Sequence, residues 1–318
     1  MPVREGQNKV GVIGTGMVGA SFAYALMQRG VTNEMVLIDA NRGRAEAEAM
    51  DLNHGLPFVR PMRISVGDYA DLAGAAVTVV TAGAAQKQGE TRLQLLERNA
   101  DIFRTIVPEI VKHNPDGIIL IASNPVDLMT RLTVELSGLP PTQVFGSGTI
   151  LDTARFRYLL GERYAVDPRS VHAYIVGEHG DSELALWSLA NIAGVRIRDF
   201  KSASGTGYDE AALQHIFEQT RDAAYTIIER KGATYYAIGL GLLTIVEAIL
   251  RDQHTVLTVS SLMNGQYGVQ DMCISLPTIV GASGIEEVLQ LSLSPEEEDA
   301  FRHSAATLSE RYQQIRQS

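Results

Sequence analysis

The chain has 318 residues, 45% of them apolar, which is enough for about two domains with substantial cores. Its net charge of −10 is spread along the chain without a basic stripe, which argues against a nucleic-acid partner. Cys273 is the only cysteine, so no internal disulfide can form, and no apolar leader precedes the first strand; both suit a reducing, cytoplasmic setting.

Val10 to Ile13 has the length and apolarity of a buried strand, and Ala20 to Arg29 reads as the helix that follows it. Between them lies Gly14-Thr15-Gly16-Met17-Val18-Gly19. Met35 to Ile38 is the next strand, closed by Asp39. A glycine triplet alone is a weak signal. Strand, glycine turn, helix and then an acid at the end of the next strand is the context a dinucleotide site requires. Gly14 permits the tight turn, Gly16 lets main-chain N–H groups approach a pyrophosphate, and Gly19 lets the helix close on the strand. Met17 and Val18 bring the helix N-terminus to the anion. Asp39 accepts hydrogen bonds from ribose hydroxyls and repels a 2′-phosphate, which favours NAD over NADP. The alternative is a strand, turn and helix with no ligand.

Arg42 to Asn53 and Leu93 to His113 read as helices, and Ile64 to Val66, Val77 to Val80 and Ile118 to Ile121 as strands. Such alternation implies an α/β fold with a doubly wound parallel sheet, a Rossmann domain assigned to residues 1–147. The pattern changes after Phe145, and residues 148–318 read as an α+β substrate domain. Its expected elements are a helix over Asp152 to Arg163, strands near 171–176, 184–189, 255–263 and 272–280, and an amphipathic helix over 209–230. Leu213, Ile216, Phe217, Ala224 and Ile227 share one face of that helix. Ala233 to Leu250 is long and apolar, but Glu247 and two glycines inside it favour a buried helix over a membrane span. Ser294-Pro295-Glu296-Glu297 opens the last helix with a capping serine, a proline at the first helical position and a capping-box glutamate.

The chemistry concentrates in a few segments. The polar stretch Ala82 to Arg92 leaves the carboxyl end of the Val77 strand, where ligands bind in such sheets. Its glycines suit a lid that closes and brings in Arg92; a plain surface loop is the alternative. Ala82, Gly83 and Asn124 lie at the same ligand edge, and Asn124 either contacts a ligand or caps the next helix. Asp152 and Arg155, three apart on a helix, share a face. Arg155 there suits a carboxylate clamp and Asp152 a partner for an imidazole; a surface ion pair is the bland alternative. Of seven histidines, only His179 follows a strand, stands between glycines and has an acidic cluster upstream.

Read together, GTGMVG (14–19), AGAAQKQGETR (82–92), SNPVD (123–127), LDTARFR (151–157), GEHGDSE (177–183) and KGATYYAIG (231–239) resemble the lactate/malate dehydrogenases over nearly the whole chain, and within them the bacterial L-lactate branch. The resemblance implies that His179 donates and accepts the proton with Asp152 as partner, and that Arg155 binds the substrate carboxylate. It implies that Arg92 polarises the reacting C2 oxygen, that Asn124 contacts that oxygen, and that Thr234 lines the pocket. Malate dehydrogenases of this family carry arginine where this chain has Gln86, so pyruvate and L-lactate are expected rather than oxaloacetate and malate. Gln88 departs from the family's usual proline. Arg157 and His172 match positions that bind fructose 1,6-bisphosphate in allosteric members, at an interface of a homotetramer. No metal is expected. The rivals are a dehydrogenase for malate or a branched-chain 2-hydroxy acid, and a non-catalytic NAD-binding protein.

Overall fold

The apolar runs of the first half form β1 (Lys9–Ile13), β2 (Glu34–Ile38), β3 (Arg63–Val66), β4 (Val77–Val80), β5 (Ile118–Ile121) and β6 (Val144–Gly146) in a computed structural model that describes residues 9–84 and 92–316. These strands pair in parallel in the order β6-β5-β4-β1-β2-β3. The helices α1 (Met17–Arg29), α2 (Arg42–Gly55), α3 (Arg92–His113) and α4 (Val126–Ser137) connect them. Successive residues of one strand enter opposite cores. Ile118 and Leu120 pack with α1, while Ile119 and Ile121 pack with α3 and α4. A sheet covered on both faces accounts for strands that are apolar at every position. The strand order reverses between β1 and β4, and this opens a crevice at their carboxyl ends.

The second half contributes α5 (Ile150–Tyr164), β7 (Val171–His172), β8 (Ile175–Val176), β9 (Leu184–Ala185), β10 (Asn191–Ile192), β11 (Val195–Arg196), α6 (Glu210–Lys231), α7 (Tyr236–Leu250), β12 (Thr255–Asn264), β13 (Gln270–Gly281), β14 (Gly284–Val288) and α8 (Pro295–Arg316). Ser260 of β12 pairs with Gly146 of β6, so β12, β13 and β14 extend the first sheet to nine strands among the described residues. The change of pattern after Phe145 therefore marks a change of connectivity within one continuous sheet.

The single strand expected over 171–176 is two short ones in different sheets. Side chains of α5 take the main-chain groups that a continuous ladder would use. The Thr153 hydroxyl bonds to both N and O of Ile175, and Arg157 Nε donates to the Ala173 carbonyl at 2.9 Å. The strand expected over 184–189 stops at Ala185. On α6, Leu213 and Ile216 are buried, but Ala224 and Ile227 are only half-buried, so the packed face fades toward its end. The capping box of α8 forms as its sequence implies: Glu297 N donates to Ser294 Oγ at 3.2 Å, and Ser294 N to Glu297 Oε2 at 2.9 Å. On α7, Glu247 is buried and pairs with Arg29 at 2.9 Å and Arg251 at 3.1 Å. No described helix is long and apolar enough to cross a membrane.

Candidate active site

The crevice at the strand reversal holds the glycine turn. Gly14 adopts a left-handed conformation (φ +94°), and a Cβ there would meet the Ala82 main chain at 2.6 Å. Gly16 is the N-cap of α1, and a Cβ on it would meet nothing within 4 Å. That open space in front of a helix N-terminus fits a pyrophosphate. Met17 begins α1 and is exposed, Val18 is half-buried, and Gly19 is packed directly against the Gly14 carbonyl. Asp39 Oδ2 accepts from Thr15 N at 2.6 Å and from the Thr15 hydroxyl at 2.9 Å, and its Oδ1 accepts from Asn41 N at 2.8 Å. Burial works against its charge, yet these donors hold its carboxyl below the usual range. Asp39 is thus a fixed anion beside the glycine turn. With Gly14, Gly16, Ala82 and Gly83 it lines a cleft of about 550 Å³. The donor set and the open Gly16 fit a dinucleotide.

The second part of the site lies on α5 and the loop after β8. His179 Nδ1 is 2.5 Å from Asp152 Oδ2, and Arg155 Nη1 donates to Asp152 Oδ1 at 2.9 Å. Asp152 is 2% exposed, so the pair is internal and the surface ion pair is set aside. The His179 side chain is 24% exposed, which leaves its outer edge accessible. Burial disfavours the imidazolium, but Asp152 overrides this and the ring is pushed up to about 9. Burial likewise disfavours the Asp152 carboxylate, and His179 and Arg155 hold it below its ordinary value. At neutral pH the ring is therefore charged, with a proton to give.

The loop carrying His179 is tied down at several points. Gly177 bridges to Ser275 of β13 in both directions, at 3.0 and 3.1 Å. Glu178 N donates to Ser304 Oγ of α8 at 2.8 Å, and Arg311 reaches Glu178 Oε1 at 2.5 Å. His179 N donates to Asp127 Oδ2 of α4 at 2.8 Å. The proton-bearing ring is thus held through backbone and side chain together, which favours a reproducible geometry.

A model of the lactate/malate dehydrogenase NAD binding domain matches residues 8–146, and one of the lactate/malate dehydrogenase alpha/beta C-terminal domain matches residues 149–318. The chain belongs to the lactate/malate dehydrogenase family. This family member is 53% identical over 302 residues to the L-lactate dehydrogenase of Acetivibrio thermocellus, covering 95% of each chain. It is 51% identical over 302 residues to L-lactate dehydrogenase 1 of Clostridium acetobutylicum, covering 95% of this chain and 96% of that one. It superposes on the ligand-bound minor L-lactate dehydrogenase of Enterococcus mundtii with a TM-score of 0.93 and 44% identity, covering 96% of this chain and 98% of the other. A lactate dehydrogenase from a deep-sea metagenome library gives a TM-score of 0.94 at 45% identity, covering 97% and 99%.

Within this family member the expected residues fall in different places. The structure brings His179, Asp152 and Arg155 into contact. Asn124 is exposed just before α4, which has no side-chain cap, so the capping alternative is not realised. Thr234 is half-buried in the connection between α6 and α7. Gln86 and Gln88, with most of the expected lid, lie outside the described residues; Arg92 opens α3, and its side chain also lies outside them. Arg157 stacks over the Tyr174 ring at 5.1 Å and bonds to the carbonyl of Ala173, the residue after the exposed His172.

Two acids that sequence reasoning passed over stand beside His179. Glu183 is buried, and its Oε1 has no partner among the described residues. Burial first, and the Asp152 charge second, push its carboxyl up to about 9, so it is neutral at neutral pH. Asp127 is the other. Ligand atoms of Asp152, His179 and Glu183 lie within 4.8 Å of one another, a spacing that can hold a metal. The Arg155 guanidinium on the same Asp152 carboxylate opposes a second cation there.

Proposed function

We propose that this chain catalyses the NADH-dependent reduction of pyruvate to L-lactate and its reversal. The observation that carries this reading is the contact of His179 with a buried Asp152 that also holds Arg155. The naming of its relatives as L-lactate dehydrogenases, at about half identity over nearly the full length, supports it. When bound, the nicotinamide ring supplies or accepts a hydride. The chain's residues do the rest. Arg155, bonded to Asp152 through one Nη, has its remaining donors to grip a substrate carboxylate bidentately. His179 gives its proton to the ketone oxygen during reduction and, once neutral, takes it back during oxidation. Asp152 holds the ring in one tautomer and compensates its charge. Arg92 polarises the C2 oxygen, Asn124 contacts it and Thr234 borders the pocket. Gln86 leaves the substrate tail facing an uncharged amide. A second carboxylate there would be buried unpaired, at several kcal/mol, so pyruvate is taken over oxaloacetate.

Arg157 and His172 form the proposed anion site for fructose 1,6-bisphosphate. Arg157 lines a cleft of about 400 Å³ away from His179, where its guanidinium is positioned by the Ala173 carbonyl and by Tyr174. The proposed assembly is a homotetramer. Large apolar side chains support self-association: Phe58 is 88% exposed and Tyr236 69% exposed at one groove between α1, α2 and α7. Its setting is proposed to be the cytoplasm. Following NADH absorbance with pyruvate and with oxaloacetate tests the central reading. Consumption with pyruvate at a far higher kcat/KM is expected; turnover with neither, or a preference for oxaloacetate, rejects it.

A further inference from the structure

We propose that Asp127 is a positioning residue of the reaction, acting on the substrate through His179, whose main-chain N–H its carboxylate holds from across the domain. The proposal deepens the reading of His179 as the proton donor and rests on it.

Asp127 is the second residue of α4, where an acid is ordinarily explained by the positive end of the helix and faces water. Here it is 2% exposed. It accepts no capping bond from its own helix. Its Oδ2 instead accepts from His179 N at 2.8 Å, a bond that spans 52 residues of sequence. Its other oxygen, Oδ1, is buried without a partner among the described residues. Ser260 of β12 stands beside it, but the two oxygens do not reach good hydrogen-bond geometry. A buried carboxylate with one oxygen unanswered is costly for a fold. That cost is the sign of a role outside packing.

The bond has a geometric consequence. The His179 ring is fixed at two ends: Asp152 holds Nδ1 from α5, and Asp127 holds the backbone from α4. A helix from the cofactor domain and a helix from the substrate half thereby converge on one residue. The ties at Gly177 and Glu178 hold the preceding residues, so the Asp127 bond is the one that fixes the backbone of His179 itself. Releasing it lets the ring shift, and small misplacements of a reacting group cost up to about 100-fold in rate. The carboxylate also adds charge near the ring. The charged and titratable groups around His179 are Asp152 and Arg155 on α5, Asp127 on α4, and Glu183 and Glu178 on its own loop, with Arg311 of α8 on Glu178. Burial pushes Asp127 up to about 6, so it is charged at neutral pH, where it adds to the hold of Asp152 on the imidazolium.

Two variants separate the effects. Asp127→Ala removes both acceptor and charge, and is expected to lower kcat for pyruvate about 10- to 100-fold with the Kd for NADH within about threefold of the parent. Asp127→Asn keeps an acceptor and removes the charge. It is expected to move the alkaline limb of the pyruvate pH profile to lower pH by about half a unit or more. A folded Asp127→Ala with parental kcat and pH profile overturns the proposal. If Asp127→Ala does not fold, the Asp127→Asn profile decides, and an unmoved limb overturns the proposal. Turnover of the parent with pyruvate tests the underlying reading separately. If the parent is inactive with pyruvate, that reading fails first, and the Asp127 proposal falls with it.

Discussion

Replacing Asp152 by asparagine tests the electrostatic core of the site. The substitution keeps the shape of a side chain that is 2% exposed, and removes the negative charge 2.5 Å from His179 Nδ1. In the parent, burial lowers the proton affinity of His179 and the Asp152 charge more than restores it, to a pKa of about 9. With that charge gone, burial, the largest influence on the ring, is opposed only by the weaker pull of Asp127 and Glu183, and the ring falls back toward its ordinary 6.5. For a ring at 6.5 the protonated fraction at about pH 8 drops from about 90% to about 3%, so protonation alone costs reduction about 30-fold. Lost orientation of the ring adds to this. The sign is the same for both directions. The alkaline limb of kcat/KM for pyruvate and the acid limb of kcat/KM for lactate both move down, by about two pH units or more. Steady-state NADH absorbance across the pH range, with NADH affinity measured by fluorescence quenching, gives both. Midpoints within half a unit of the parent, in a variant that still binds NADH, would refute the assignment of Asp152 as the partner that charges His179.

Gln86→Arg is expected to raise the oxaloacetate-to-pyruvate ratio of kcat/KM by about a thousandfold, because it supplies the missing charge for a second carboxylate; an unchanged ratio removes Gln86 from substrate choice. Fructose 1,6-bisphosphate is expected to lower the pyruvate KM of the parent and to leave that of Arg157→Gln unmoved, and equal responses of the two would discard the anion site. Gly19→Ala puts a methyl group against the Gly14 carbonyl and the Thr81 side chain, which forces α1 away from the sheet. Such overpacking costs about 1–3 kcal/mol, so a lower Tm and a weaker Kd for NADH are expected together. Parental values of both would show that the helix can move without consequence.

Much of the fold is legible in local pattern. Strands buried on both faces read as short apolar runs, and Ser294 and Glu297 specify their own capping box because the bonds span three residues. Asp152 and Arg155 are legible for the same reason, since a helix places residues three apart on one face. The division of 171–176 into two strands is not. It depends on Thr153 and Arg157, which reach the main chain from a helix with no pattern shared with that segment.

The sequence by itself determined the chemistry available: a glycine turn followed by Asp39, one histidine between glycines, and an acid and a guanidinium on one helix face. Only the tertiary structure decided which charges meet and which are shut from water. It joined the strands of the second half to the sheet of the first through Ser260 and Gly146, and brought Asp127 and Glu183 to His179. An aspartate in the first turn of a helix looks the same in sequence whether it faces solvent or a buried histidine. Its environment is made by segments far along the chain, and the energy of a charge depends on that environment more than on its neighbours in sequence.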